Sequence, residues 1–173
     1  MTRPRGGRLP RDITVAAGIT RTVFIPISHW NGVTQGQWIP RATSESVSYI
    51  WYDPDYDVGN ALNVRVHWYT PNATDANSVT FRVRYARLTV DTTAVALGTT
   101  ALDTVIAADN PSTTANSYMR TEAGVLNGGT VTDGQALSLQ LDVSATSGLT
   151  LGSDSASRVV VVGVELEYVA TNL

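Results

Sequence analysis

The sequence predicts an all-β fold: an antiparallel, jelly-roll-like β-sandwich of about eight strands behind an extended N-terminal arm. Three observations predict it. Apolar and polar residues alternate over most apolar segments, which is the period of half-buried antiparallel strands. Turn-forming pairs punctuate the chain at short intervals, among them Asp53-Pro54, Gly59-Asn60, Pro71-Asn72, Asn110-Pro111, Gly128-Gly129 and Asp133-Gly134, as in sandwiches and barrels. No segment carries a helical apolar stripe behind a capping residue. The nearest candidate, residues 94–108, is rich in threonine and lacks that pattern.

Residues 1–12, MTRPRGGRLPRD, hold two prolines, two glycines and four arginines, and this composition suits an extended arm. We place the arm at residues 1–21 and the sandwich at 22–173. Thr22–Trp30 opens the sandwich and Val47–Tyr52 follows, dense in β-branched and aromatic residues. Ala61–Thr70 alternates, with Leu62, Val64, Val66 and Trp68 facing inward and Asn63, Arg65, His67 and Tyr69 outward. Val79–Val90 repeats the pattern, with Val79, Phe81, Val83 and Tyr85 inward and Arg82 and Arg84 outward. The two inward sets are expected to pack against each other or against their sheet-mates. Leu102–Ala107 and Asn116–Val125 have fainter patterns. Gln135–Val143 places Leu137, Leu139, Leu141 and Val143 on one face. Ser157–Val169 closes the domain, with Val160, Val162, Val164, Leu166 and Tyr168 expected on one side. The polar stretch 92–132 is expected to form a tip or a lateral contact surface.

A chain of 173 residues makes one domain that buries roughly 70% of its unfolded surface, so it needs no staples. It has no cysteine, which removes disulfides and thiolate metal sites. All twelve basic side chains are arginine, the residue best suited to forked contacts at interfaces. The net charge of −3 is unevenly spread. Residues 1–21 carry five arginines against one acid, a net +4, whereas the rest carries seven arginines against fourteen acids, a net −7. A basic arm on an acidic body suits attachment through the arm. No stretch approaches the roughly twenty apolar residues that span a bilayer, and the N-terminus lacks the apolar core of a signal peptide. The expectation is a soluble protein with no membrane partner.

The run HWYTPNATDANSVTFRVRYARL (67–88) joins two alternating strands through a short polar loop. Later come Gly134-Gln135-Ala136-Leu137-Ser138-Leu139 and the closing strand Val162-Gly163-Val164-Glu165-Leu166-Glu167-Tyr168. Over residues 47–169 this order resembles the β-sandwich structural proteins of tailed bacteriophages, found as trimeric capsid decoration (cement) proteins and in tail or baseplate fibres. The resemblance implies a virion component on the capsid surface, a homotrimer, and the major capsid protein or other virion subunits as partners. It implies no catalytic residues. The alternative it leaves open is a tail-fibre or baseplate domain that binds a receptor glycan.

The candidate chemistry is sparse. The histidines, His29 and His67, have no nucleophile-elbow serine motif to serve, so no catalytic residue and no cofactor is expected. Asp53, Asp55 and Asp57 stand at the spacing that begins a calcium loop. Val58 and Val64, however, occupy the positions where that loop needs glycine and glutamate, so a turn is the expected reading and an ion the lesser one. Arg3, Arg5, Arg8 and Arg11 are the candidate partner-binding residues. A clamp on a neighbouring subunit is favoured over nucleic acid, because the body has no basic stripe. Trp30, Trp38, Trp51, Trp68, Tyr49, Tyr52 and Tyr56 suggest a sugar platform, but in strands such residues more often form core or interface.

Overall fold

The computed structural model describes residues 18–33, 36–57, 59–71, 77–88, 102–111, 114–126, 136–152 and 157–170. Nine strands run through them: β1 (Ile19–Pro26), β2 (Ser46–Trp51), β3 (Leu62–Tyr69), β4 (Ser78–Leu88), β5 (Leu102–Val105), β6 (Met119–Arg120), β7 (Gly124–Leu126), β8 (Ala136–Ser147) and β9 (Val160–Ala170). A single 3-10 turn, Ile27–His29, follows β1. The first strand begins at Ile19, so it takes in three residues that the sequence reading gives to the arm.

The pairing is nested. β4 pairs β5, β3 pairs β6 and β7, β2 pairs β8, and β1 pairs β9, all antiparallel. This is one long hairpin of chain folded upon itself. Rolling the hairpin sets β9 beside β3 and β8 beside β4. The result is a five-stranded sheet, β1-β9-β3 with β6 and β7 along the far edge of β3, facing a four-stranded sheet, β2-β8-β4-β5. With β6 and β7 counted as one broken strand, this is a jelly roll. The break has a local cause. Between β6 and β7 the Thr121 hydroxyl accepts from the Val66 N–H at 3.0 Å, and the Thr121 N–H donates to the Val66 carbonyl at 3.0 Å. A side chain thus completes the ladder where the backbone bends away, and both Val66 groups stay satisfied.

Leu62, Val64, Val66 and Trp68 share one core with Val79, Phe81, Val83 and Tyr85, as their common period predicts. The Trp68 and Phe81 rings meet edge-on at 6.1 Å. The fully buried Trp68 donates its indole N–H to Asp109 at 2.9 Å, which satisfies the one polar atom that its burial would orphan.

In β9 the expected face is wrong over its first half. Gly163 stands opposite His67 and Val161 opposite Trp68, which leaves Val162 as an extra residue. A bulge of one residue inverts the alternation. The core therefore takes Val159 and Val161 before the bulge, and Val164, Leu166 and Tyr168 after it. Val160 and Val162 do not join that set. A second shift between Thr80 and Phe81 steps over Ser144 in β8, at the point where the buried residues of β8 give way to exposed ones.

Candidate functional site

Pairing across the five-stranded sheet fixes which residues lie side by side on its outer face. Phe24 lies opposite Glu165, and Glu165 opposite Arg65. In the next row Pro26, Gly163, His67 and Arg120 follow one another across β1, β9, β3 and β6. On the other side run Thr22, Glu167, Asn63 and Val125. These positions are outward because their neighbours along each strand fill the core.

The charges on this face are interlocked. Arg65 donates to Glu165 at 3.2 Å and to Glu167 at 3.3 Å. Asn63 donates to Glu167 at 3.0 Å, and Arg120 donates to Glu165. His67 Nε2 lies 3.2 Å from the second Glu165 oxygen, and its Nδ1 faces the Tyr118 hydroxyl. In the neutral imidazole, Nε2–H donates to the carboxylate and Nδ1 accepts from the phenol. Burial pushes the His67 pKa below the ordinary histidine value, against the pull of Glu165. Burial alone would raise the Glu165 carboxyl, but the hydrogen bond and charge of Arg120 and the hydrogen bond of His67 outweigh it and hold the group below the usual range.

Two aromatic rings flank His67. Phe24 meets it edge-on at 5.1 Å, and Tyr118 lies at 5.2 Å with a 50° tilt. The Phe24 ring rests over Gly163, so close that a β-carbon there would come within 2.2 Å of it. Gly163 is thus the residue that lets the ring lie on the sheet. Although held in this way, Phe24 is 46% exposed and Tyr118 58%.

The other outer face is built differently. Asp142, fully buried on β8, takes a two-pronged contact from Arg82 at 3.0 and 3.2 Å and a further bond from Arg84. This is a closed ion cluster with its acceptor at the centre.

The candidate residues from the sequence fare unequally. Arg3, Arg5, Arg8 and Arg11 lie outside the described residues, as does much of the stretch 92–132. The three aspartates between β2 and β3 are all engaged by protein groups. Asp53 accepts from the Asp55 N–H at 2.8 Å and from the Tyr168 hydroxyl. Asp55 pairs with Arg21 at 3.1 Å. Asp57 accepts from the Gly59 N–H at 3.1 Å and from Asn60 at 2.6 Å. These are turn-making bonds, and among the described residues no group of three or more His, Cys, Asp or Glu side chains is placed to hold a metal ion. His29 is exposed at the end of the 3-10 turn. His67 bridges a carboxylate and a phenol, where a hydrolytic triad would need a serine.

All four tryptophans and Tyr56 are core residues, so they form no platform. Trp51, Tyr56 and Tyr168 instead close one end of the core with mutual edge-on contacts at 5.1 to 5.8 Å. The sequence reading missed Phe24, Tyr118 and Glu165. One signal pointed to them: a glycine inside the otherwise valine-rich closing strand marks a close approach by another group.

Compared with known proteins, the chain matches no protein-family model and no curated sequence.

Proposed function

We propose that this protein is a non-enzymatic structural subunit of a phage virion, decorating and reinforcing the head as a homotrimer and attaching through its N-terminal arm. The observation that carries the reading is the nested jelly-roll pairing, an architecture recurrent in viral capsid domains. The division of charge supports it, with a net +4 on residues 1–21 and −7 on the remainder. An arginine-rich arm reaches acceptors on a neighbouring surface through forked donors, while the sandwich folds around its own core. Function in this reading is mechanical: each subunit that binds the assembled shell stabilises it by mass action, and closed threefold symmetry leaves no unpaired interface.

The test has two parts. Sedimentation equilibrium of the full chain is expected to give three times the chain mass, and a monomer at all concentrations counts against the trimer. The chain without residues 1–12 is expected to stay folded, because no described strand is touched, and to co-sediment less with heads that lack the protein. Attachment of the full chain is expected to weaken as salt rises. Undiminished binding by the truncated chain removes the arm as the attachment device.

A further inference from the structure

We propose that the outer face of the five-stranded sheet, between Phe24 and Tyr118, is a binding site for a neutral saccharide. The inference does not depend on the virion reading, since attachment there rests on the arm.

Three features of the face lead to this ligand class. The first is rigid, exposed aromatic surface. Phe24 is pinned over Gly163 and Tyr118 is tied to His67, so their open sides are presented at little cost in conformational entropy. Flat apolar rings of this kind suit the C–H faces of a sugar. The second is a row of polar groups alongside the rings. Arg120 is the open member of this row, its side chain 49% exposed, and the largely buried Glu165, shared with Arg65, holds it in position. Planar, preorganised donors and acceptors beside a ring are what a ligand with many hydroxyls requires.

The third feature decides among ligands. Two arginines, Arg65 and Arg120, meet two carboxylates, Glu165 and Glu167. Both cations are already paired within the face, and Glu122 adds a further negative charge within reach of Arg120. A phosphate or nucleic-acid backbone is drawn by uncompensated cations, which this face does not offer. A second protein would need a broad apolar centre inside a polar rim. Here the exposed apolar residues are split: Phe24 lies on β1 and Val125 on β7, at opposite edges of the sheet, with the polar groups of β9 and β3 between them. Jelly rolls serve in lectins as well as in capsids, so the scaffold is compatible with such a site.

The test is a titration of the isotope-labelled full chain with maltohexaose, cellohexaose and mannohexaose, followed by NMR, with a sulfated dextran oligomer as the charged control. At least one neutral hexasaccharide is expected to shift the amides around Phe24, His67, Tyr118 and Glu165, with an affinity on the order of 1 mM. Tyr118→Ala and Phe24→Ala are each expected to weaken that binding by at least ~10-fold. Both side chains lie outside the core, so the fold should persist, as checked by circular dichroism. Ile50→Ala, at a residue 60% exposed on the four-stranded sheet, is expected to bind as the parent does. The proposal is overturned if no neutral sugar shifts this face, if the sulfated oligomer alone does so, or if the two variants bind unchanged. It is equally overturned if the same amides shift on concentrating the protein without sugar, which would assign the face to a second copy of the chain.

Discussion

The two outer faces of the sandwich use the same side-chain types to opposite ends. On the four-stranded sheet one carboxylate, Asp142, is sealed beneath two arginines. On the five-stranded sheet Glu165 lies at the meeting point of Arg65, Arg120 and His67, and exposed rings stand on either side. The first cluster is inward-looking, with its acceptor consumed by the protein. The second keeps Arg120 half exposed, its side chain 49% accessible. An ion cluster is therefore not by itself a sign of function. What distinguishes the second is apolar surface left uncovered next to fixed polar groups.

Both faces rest on a shared core, and removing part of it should have the largest effect. Trp68→Ala is expected to cost about 3–5 kcal/mol in denaturant unfolding, because the ring is fully buried and also holds Asp109. Next is the sealed cluster. Asp142→Ala strands two arginines around a buried vacancy and is expected to cost about 3 kcal/mol. Glu165→Ala should cost measurably less, since Arg65 keeps Glu167 and Arg120 turns to water. If the two substitutions cost the same, the contrast between the faces fails.

Acid sharpens the same comparison. The pKa values of His67 and Glu165 both lie below their ordinary values of 6.5 and 4.5. Below those values the unfolded chain binds more protons than the native one, so stability falls as pH falls. The loss should begin below pH 6.5 from His67 and deepen below 4.5 from Glu165. His67→Gln is expected to flatten the first part of that profile and to keep most of the second, since Arg120 is the larger influence holding Glu165 down, as read from unfolding midpoints across the pH range. The smallest effect is expected at the half-buried pair of Arg21 and Asp55 near the rim of the sheet. Asp55→Asn should leave the unfolding midpoint unchanged within error, as most surface ion pairs do.

The strands that alternate cleanly were readable because each changes polarity at every residue. In β3 the sequence Leu-Asn-Val-Arg-Val-His-Trp-Tyr states which side is in. In β9 the run of four valines, 159–162, carries no such contrast, so nothing in it marks the residue that the bulge expels. The pair β6 and β7 was blurred for another reason: its continuity depends on the Thr121 side chain, which period counting does not see. The face around His67 was hidden by distance along the chain. Residues 24, 67, 118 and 165 meet only after β1, β3 and β9 have paired, and each alone looks like an ordinary surface residue. The tryptophans could be assigned to the core because large rings in strands usually go there.

The place of β9 in its sheet has a consequence for how the chain acquires its structure. It is the last of the nine strands in sequence, yet it lies between β1 and β3. Two strands made much earlier have no partner in common until residues 160–170 have left the ribosome. β2 likewise waits for β8. During synthesis the early strands therefore expose open edges, and closure spans most of the chain length, a topology that folds slowly. Such edges invite pairing between nascent chains. High-level production of this protein should thus depend on temperature and synthesis rate more than its final stability would suggest.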